Sequence, residues 1–306
     1  MPHTRRKPPS HQNKRLQVTD SSGWTHVTTT GNARRLHRSA KKTQTKSETE
    51  RENDKIESES ALEHLIPAEA PARITLADLE RQLTLYQTRW KESETWKGVQ
   101  EGLRRGLNAL LPITRASRKD ENADNEDGGS EDDDSVSIVC IGLGSPSGFL
   151  RGGWVDRRAV SMYQLAALSS VVTWFETHLP ETTPKLALKA YAQDPVFNTH
   201  DTSLLKSLNL TVLAHPLAFS KITPRTLLFC PGAEITHLEV LLAHNPAMVF
   251  GGPLEDISSD VAKAYLNDRE SVALKVFEED EKAFWGMSVY YPSRSAMSKE
   301  DVEVEG

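Results

Sequence analysis

Gly142-Leu143-Gly144-Ser145 is the stretch of this sequence with the clearest capacity for chemistry. It follows a short apolar run, and glycines at such a place let backbone N–H groups approach a phosphate or a cofactor carboxylate with no Cβ in the way. The same glycines also suit a tight strand-to-loop turn, for which positive φ is the requirement. A dinucleotide fingerprint needs a third glycine that opens a helix directly. Here Pro146 and the stretch 148–154 intervene, so the match is G-x-G alone, with Ser145 beside it.

Asp194 is the second candidate. An acidic residue after the second strand of such a fold can accept hydrogen bonds from a ribose diol, about 20 residues beyond the glycines in dinucleotide folds. The gap here is much longer, and Asp194-Pro195 is equally a turn starter, which is weighed ahead of the ribose role. Pro231-Gly232-Ala233-Glu234 and Gly251-Gly252-Pro253 put flexible backbone at two further strand ends. The cofactor-binding candidates are therefore Gly142, Gly144, Ser145, Asp194, Pro231 and Gly251. Glu234 could serve as an acid or base, but it also suits the first turn of a helix as a dipole partner.

No metal site is expected. His200, His215, His237 and His244 include one pair seven apart on a predicted helix, with no third ligand at motif spacing. The G-x-S-x-G order of a nucleophile elbow is missing as well.

The elements that must position these residues follow from periodicity. Strands are expected at 136–141, 186–192, 211–214, 226–230, 247–250 and 287–291, and helices at 158–179, 199–208, 235–243 and 256–266. The buried face of the first helix is Leu165, Leu168, Val172, Phe175 and Leu179. Strands alternating with helices at this spacing predict an α/β fold: three-layer, Rossmann-like, a mostly parallel sheet with helices on both faces. Ligands bind such sheets outside the carboxyl ends of the strands, which is why the strand ends matter.

Ahead of this lies a helical arm. Thr75 and Asp78 make a near-capping box, and Leu76, Leu79, Leu83, Tyr86 and Trp90 form one apolar face. Trp96, Val99, Leu103, Leu107 and Leu110 form another before Pro112, with a break near Ser93-Glu94-Thr95. The arm is expected to pack on the main domain, with a partner-binding helix as the alternative.

The chain has 306 residues and a net charge of −6, unevenly distributed. The stretch from Arg5 to Lys46 is basic, and that from Asp120 to Asp134 is acidic. Blocks of like charge repel and stay solvated. The expected organisation is a disordered basic tail over 1–72, the arm over 73–112, an acidic linker over 113–134, the α/β domain over 135–292 and an acidic tail over 293–306. Trp24 stands out in the basic tail within Gly23-Trp24-Thr25-His26-Val27, as a stray aromatic or a short docking motif. Cys140 and Cys230 lie inside apolar runs and read as buried core thiols in a reducing compartment. No apolar run approaches the ~18 residues of a membrane span, and the N-terminus lacks a signal-peptide core. Cytoplasm, nucleus or both is the expected location.

With these residues in view, the C-terminal half resembles the SRR-like domain family (sensitivity to red light reduced). The resemblance rests on Ile138-Val139-Cys140-Ile141-Gly142-Leu143-Gly144-Ser145, Gln164-Leu165, Asp194-Pro195-Val196-Phe197, the stretch 205–213, and Leu227-Leu228-Phe229-Cys230-Pro231 with the strand before Gly251. Members commonly carry Pro-His-Cys where this chain has Pro231-Gly232-Ala233, and Gly-Asn where it has Gly251-Gly252. A ligand or step that used that histidine and cysteine is thus not served here. The resemblance implies a regulatory role, with links to light signalling and circadian timing in plants, haem-biosynthesis regulation in animals and microtubule-related processes in yeast. It supplies no catalytic activity.

Two functional expectations follow. One is a non-catalytic regulatory adaptor that meets a protein partner through the tail or the arm, favoured by the missing acid–base constellation. The other is a nucleotide- or S-adenosylmethionine-binding enzyme, transferase-like, with its cofactor at the strand-exit cleft. The charge balance gives no support to nucleic acid as a dedicated partner, and no membrane association is expected.

Overall fold

The structure is a computed structural model, which describes residues 15–19, 25–29, 67–111, 135–149, 156–180 and 187–293. The chain divides into two compact units, 1–64 and 65–306. In the first, β1 (Arg15–Thr19) and β2 (Thr25–Thr29) pair antiparallel, with Arg15 opposite Thr29 and Thr19 opposite Thr25. This pair was not expected from the polar composition of the stretch. Up to residue 66 the rest of the expected tail, Trp24 included, lies outside the described residues, as do the whole acidic linker and the C-terminal tail beyond residue 293.

The second unit is built on seven strands. These are β3 (Val136–Ile141), β4 (Leu188–Gln193), β5 (Thr211–Val212), β6 (Thr226–Cys230), β7 (Met248–Gly251), β8 (Arg269–Ala273) and β9 (Ser288–Pro292). Their order is β5-β4-β3-β6-β7-β9-β8. β5, β4, β3, β6 and β7 run parallel, while β9 is antiparallel to both its neighbours. The order reverses between β3 and β6, so a crevice is expected outside the carboxyl ends of those two strands.

β3 is buried along its whole length because both faces are covered. Ile138 and Cys140 face one core cluster, while Val139 and Ile141 face the other. This alternation is the two-residue period of a strand read out in space. The first cluster receives α1 (Leu76–Glu92), α2 (Glu94–Leu110), α3 (Arg158–His178) and α4 (Thr199–Ser207). The second receives α5 (Ile235–Ala243), α6 (Asp260–Leu266) and the short turn Phe219–Lys221. The result is the three-layer α/β architecture.

The helical arm is a layer of this domain. The Thr75 hydroxyl accepts from the Asp78 amide at 3.2 Å while Asp78 Oδ2 accepts from the Thr75 amide at 3.1 Å, which starts α1 with a full capping box. Ser93 ends α1 and caps α2, its hydroxyl accepting from the Trp96 amide at 3.0 Å. α1 then lies on α3, and α2 lies on β9 and β8. α3 is consequently buried almost all round from Val160 to Phe175, well beyond the single face its periodicity predicts. Trp90 is fully buried with its ring centroid 4.6 Å from Phe284 and 5.7 Å from Phe277.

Three elements differ from their sequence patterns. β5 is only two residues long. α6 begins at Asp260, where the Ser259 hydroxyl accepts from the Ala262 amide, because the preceding residues form a turn with the Ile257 amide bonded to Leu254. β8 was not foreseen. It is an edge strand with exposed Glu270, Ser271 and Ala273, so it carries no apolar signal.

Candidate functional site

The loop after β3 bends at two residues that need a left-handed backbone, Gly142 at φ +79° and Gly144 at φ +72°. The Gly142 amide donates to the Gln193 carbonyl at 3.3 Å. A Cβ on Gly142 would lie 2.5 Å from the carbonyl carbon of Gly232, and one on Gly232 would lie 2.5 Å from the Gly142 oxygen. The exits of β3 and β6 therefore meet backbone against backbone, at the point where strand order reverses.

The Gly144 amide donates to Asp194 Oδ2 at 2.7 Å, and the Val196 amide donates to Asp194 Oδ1 at 3.0 Å. Asp194 thus serves its own turn and the glycine loop at once, although the two lie 50 residues apart. Burial pushes its carboxyl above the ordinary range, the Val196 and Gly144 amides oppose that shift, and the nearby Asp201 carboxylate adds to it.

Asp201 is the hub of the remaining loop and was missed in the sequence. It is fully buried. Its Oδ2 accepts from the Ser145 hydroxyl at 2.6 Å and the Asn198 amide at 3.0 Å, and its Oδ1 accepts from the Ser147 amide at 3.0 Å. Asn198 caps α4 by accepting from the His200 and Asp201 amides, and its Nδ2 donates to the Ala68 carbonyl at 3.1 Å. Glu69 and Phe149 exchange backbone hydrogen bonds, each at 2.8 Å. The chain just before α1 is thereby stitched to the glycine loop. Asn198-x-x-Asp201 is a capping-box spacing, which was the signal available in the sequence.

The candidates of the sequence do not all converge. Gly142, Gly144, Ser145 and Asp194 form one unit, in which the Ser145 hydroxyl is buried and donates to Asp201. Pro231 follows β6 and precedes the glycine that touches Gly142. Gly251 ends β7 beside Cys230, and a Cβ there would overlap the Cys230 sulfur. Gly251 is a packing position in the sheet.

A second set of residues gathers where β4, β5 and β6 end. Gln193, the last residue of β4, accepts from the Ala218 amide through Oε1 at 2.9 Å. That bond turns its Nε2 towards His215 Nδ1, 3.1 Å away. An amide NH₂ can only donate, so Nδ1 accepts and the neutral His215 carries its proton on Nε2. Burial and the neighbouring His237 hold the His215 imidazole below its ordinary range. The His215, Phe219 and His237 rings lie 5.4 to 5.7 Å apart in a triangle. Leu217 and Ile235, next to them in sequence, are 58% and 60% exposed.

Two further features lie near the loop and across the sheet edge. A cavity of about 280 Å³ opens beside Pro146, lined by Ile74, Tyr86, Arg158 and Met162. The Arg158 guanidinium stacks 3.7 Å over the Phe149 ring and bonds Asp156. After β7, the Tyr290 hydroxyl donates to Glu255 Oε2 at 2.6 Å and accepts from the Leu254 amide at 3.0 Å. Burial and Glu255 raise its ionisation far above that of a free phenol. Among the described residues no group of three or more His, Cys, Asp or Glu is placed to hold a metal ion.

Fold and site together define a doubly wound α/β domain with a glycine loop tied to an acid at the end of its second strand. The chain matches the family model of the SRR1 domain over residues 115–291, more than half its length, and it belongs to that family. No curated protein and no solved structure matches the chain. No helix among the described residues is long and apolar enough to cross a membrane.

Proposed function

We propose that this SRR1-domain protein is a regulatory adaptor whose α/β domain binds a nucleoside-bearing ligand of the S-adenosylmethionine class. The observation that carries the ligand is the bond from Gly144 to Asp194. It sets an acid beside the glycine loop at the strand-order reversal, the place where open α/β sheets take ligands. The loop amides of Gly144 and Ser147 already point at carboxylates. An anionic phosphate would have to displace Asp194 or Asp201, whereas the hydroxyls of a ribose can donate to Asp194. Numbered within the sheet, strand order runs 3-2-1-4-5-7-6 with the seventh strand reversed, so the reversal of order falls where the glycine loop of strand 1 meets the exit of strand 4.

The regulatory half of the proposal rests on the family and on what the strand exits lack. Beside the Gly144–Asp194 unit the Ser145 hydroxyl is paired with the Asp201 carboxylate, but both are buried and serve the loop's own hydrogen bonds. The apolar faces of α1 and α2 are buried in the core, which leaves residues 1–64 as the segment proposed to meet a protein partner.

Thermal unfolding of the full chain with S-adenosylhomocysteine, ATP, NAD and haem tests the ligand. A ligand at about 100 times its Kd adds about 2.7 kcal/mol of stability. S-adenosylhomocysteine should raise Tm, ATP should not, and Asp194→Ala should remove the rise. A response to ATP alone, or to none of the four, would refute the ligand assignment. Co-precipitation with and without residues 1–64 tests the partner, and identical partner sets would refute a docking role for that segment.

A further inference from the structure

The ring triangle at the ends of β5 and β6 rests on the second core cluster through Phe219, and two exposed branched residues flank it. His215 is already fixed by Gln193, and Phe219 is already anchored by its turn, the Phe219 amide donating to the Pro216 carbonyl at 2.9 Å. Yet Leu217 and Ile235 stand more than half exposed beside His215, Phe219 and His237. Single exposed apolar residues are ordinary on any surface, but apolar residues gathered with rings at a strand-exit edge suit a flat apolar ligand.

The position of the triangle decides which part of a ligand it would take. Gln193 bonds His215, and the next residue, Asp194, bonds the glycine loop. Successive side chains at a strand end leave on opposite faces, so the two places flank the exit of β4. A molecule lying across that exit with its ribose hydroxyls on Asp194 would bring its base towards the rings. His215 adds direction to the stacking. With Nδ1 accepting from Gln193, its Nε2–H is left as a donor, and among the described residues no group accepts it. A purine ring nitrogen is the matching acceptor.

We propose that His215, Phe219 and His237, with Leu217 and Ile235, form the base subsite of the domain, which stacks a purine and donates to it from His215 Nε2. This rests on the ligand assigned above, and it adds the base and the residues that would read it. Stacking on such surfaces is lost on truncation of one ring or aliphatic wall by about 10-fold in affinity.

Titration calorimetry of S-adenosylhomocysteine against the full chain, with saturation-transfer NMR on the adenine protons, separates this inference from its premise. Leu217→Ser and Ile235→Ser alter exposed side chains and should leave the Tm of the free protein unchanged. Each should weaken binding about 10-fold, His215→Ala by a similar factor, and the adenine protons should receive saturation. Adenosine should compete and uridine should not. If Asp194→Ala abolishes binding while the three ring-side variants bind like the parent, the subsite is wrong and the ligand assignment stands. Equal competition by uridine would also overturn it. If S-adenosylhomocysteine does not bind the parent at all, both fall together.

Discussion

The Gly144 amide donates to Asp194 Oδ2 at 2.7 Å, so the loop after β3 and the acid after β4 are one structure. Gly144 reaches that geometry only at φ +72°, and a Cβ there would lie 2.5 Å from Ser161 Oγ on α3. A left-handed backbone costs an ordinary residue about 1–2 kcal/mol. Gly144→Ala should therefore destabilise the domain by about 2 kcal/mol, seen as a lower urea midpoint, and should remove any stabilisation by S-adenosylhomocysteine.

Asp201 accepts three hydrogen bonds with both oxygens while fully buried. Asn would place an NH₂ against at least one N–H or O–H donor and leave it unmet. A buried donor left without a partner costs about 1–3 kcal/mol. Asp201→Asn should lower stability by about 2 kcal/mol in urea unfolding, with faster amide exchange at Ser147.

His215 supplies a pH dependence. Its imidazole is held below the ordinary range by burial first and by His237 second, so the folded state binds fewer protons than the unfolded state just under pH 6.5. Stability should rise with pH through that window and fall as the solution is acidified below it. His237→Gln removes the second cause only. In NMR titration of the ring protons, His215 should titrate higher in that variant, while remaining below a free histidine.

Three glycines spaced by four on α2 separate helix propensity from packing. A Cβ on Gly102 would sit 2.6 Å from Val289 Cβ, and one on Gly106 2.9 Å from Tyr291 Cβ, both on β9. One on Gly98 would meet only Leu274 Cδ2 at 3.7 Å, an ordinary contact. Ala gains up to about 1 kcal/mol over Gly within a helix, while overpacking a core costs about 1–3 kcal/mol. Gly98→Ala should stabilise by about 0.5 kcal/mol. Gly102→Ala should destabilise by about 1–2 kcal/mol because Val289 is β-branched and fully buried.

Both thiols should be inert in the folded protein. Burial raises Cys140 well above an ordinary thiol and pushes Cys230 up to about 12. Neither should react with a thiol-specific reagent at neutral pH until denaturant is added. Rapid labelling of either would contradict the packing of β3 and β6.

The local pattern of this chain determined much of its fold. Apolar runs with turn residues at their ends placed β3, β6 and α5 at or within a residue of where they lie, because a doubly covered strand must be apolar throughout. The Thr75–Asp78 capping box was legible for the same reason, as the bond joins residues three apart. What tertiary structure decided is everything carried by residues far apart or by weak patterns. β8 is a strand only because β9 lies beside it, for its exposed residues carry no apolar signal. The glycines of α2 became an interface only where β9 approaches them. Asp194 could be read as a turn residue, and it is one, through Val196. Its partnership with Gly144 depends on β3 and β4 lying parallel in register, which brings both strand ends to one edge across 50 residues of chain. The long spacing between these two residues argued against a standard dinucleotide site, but a parallel crossover makes the length of the intervening loop and helix irrelevant to where its two strands end.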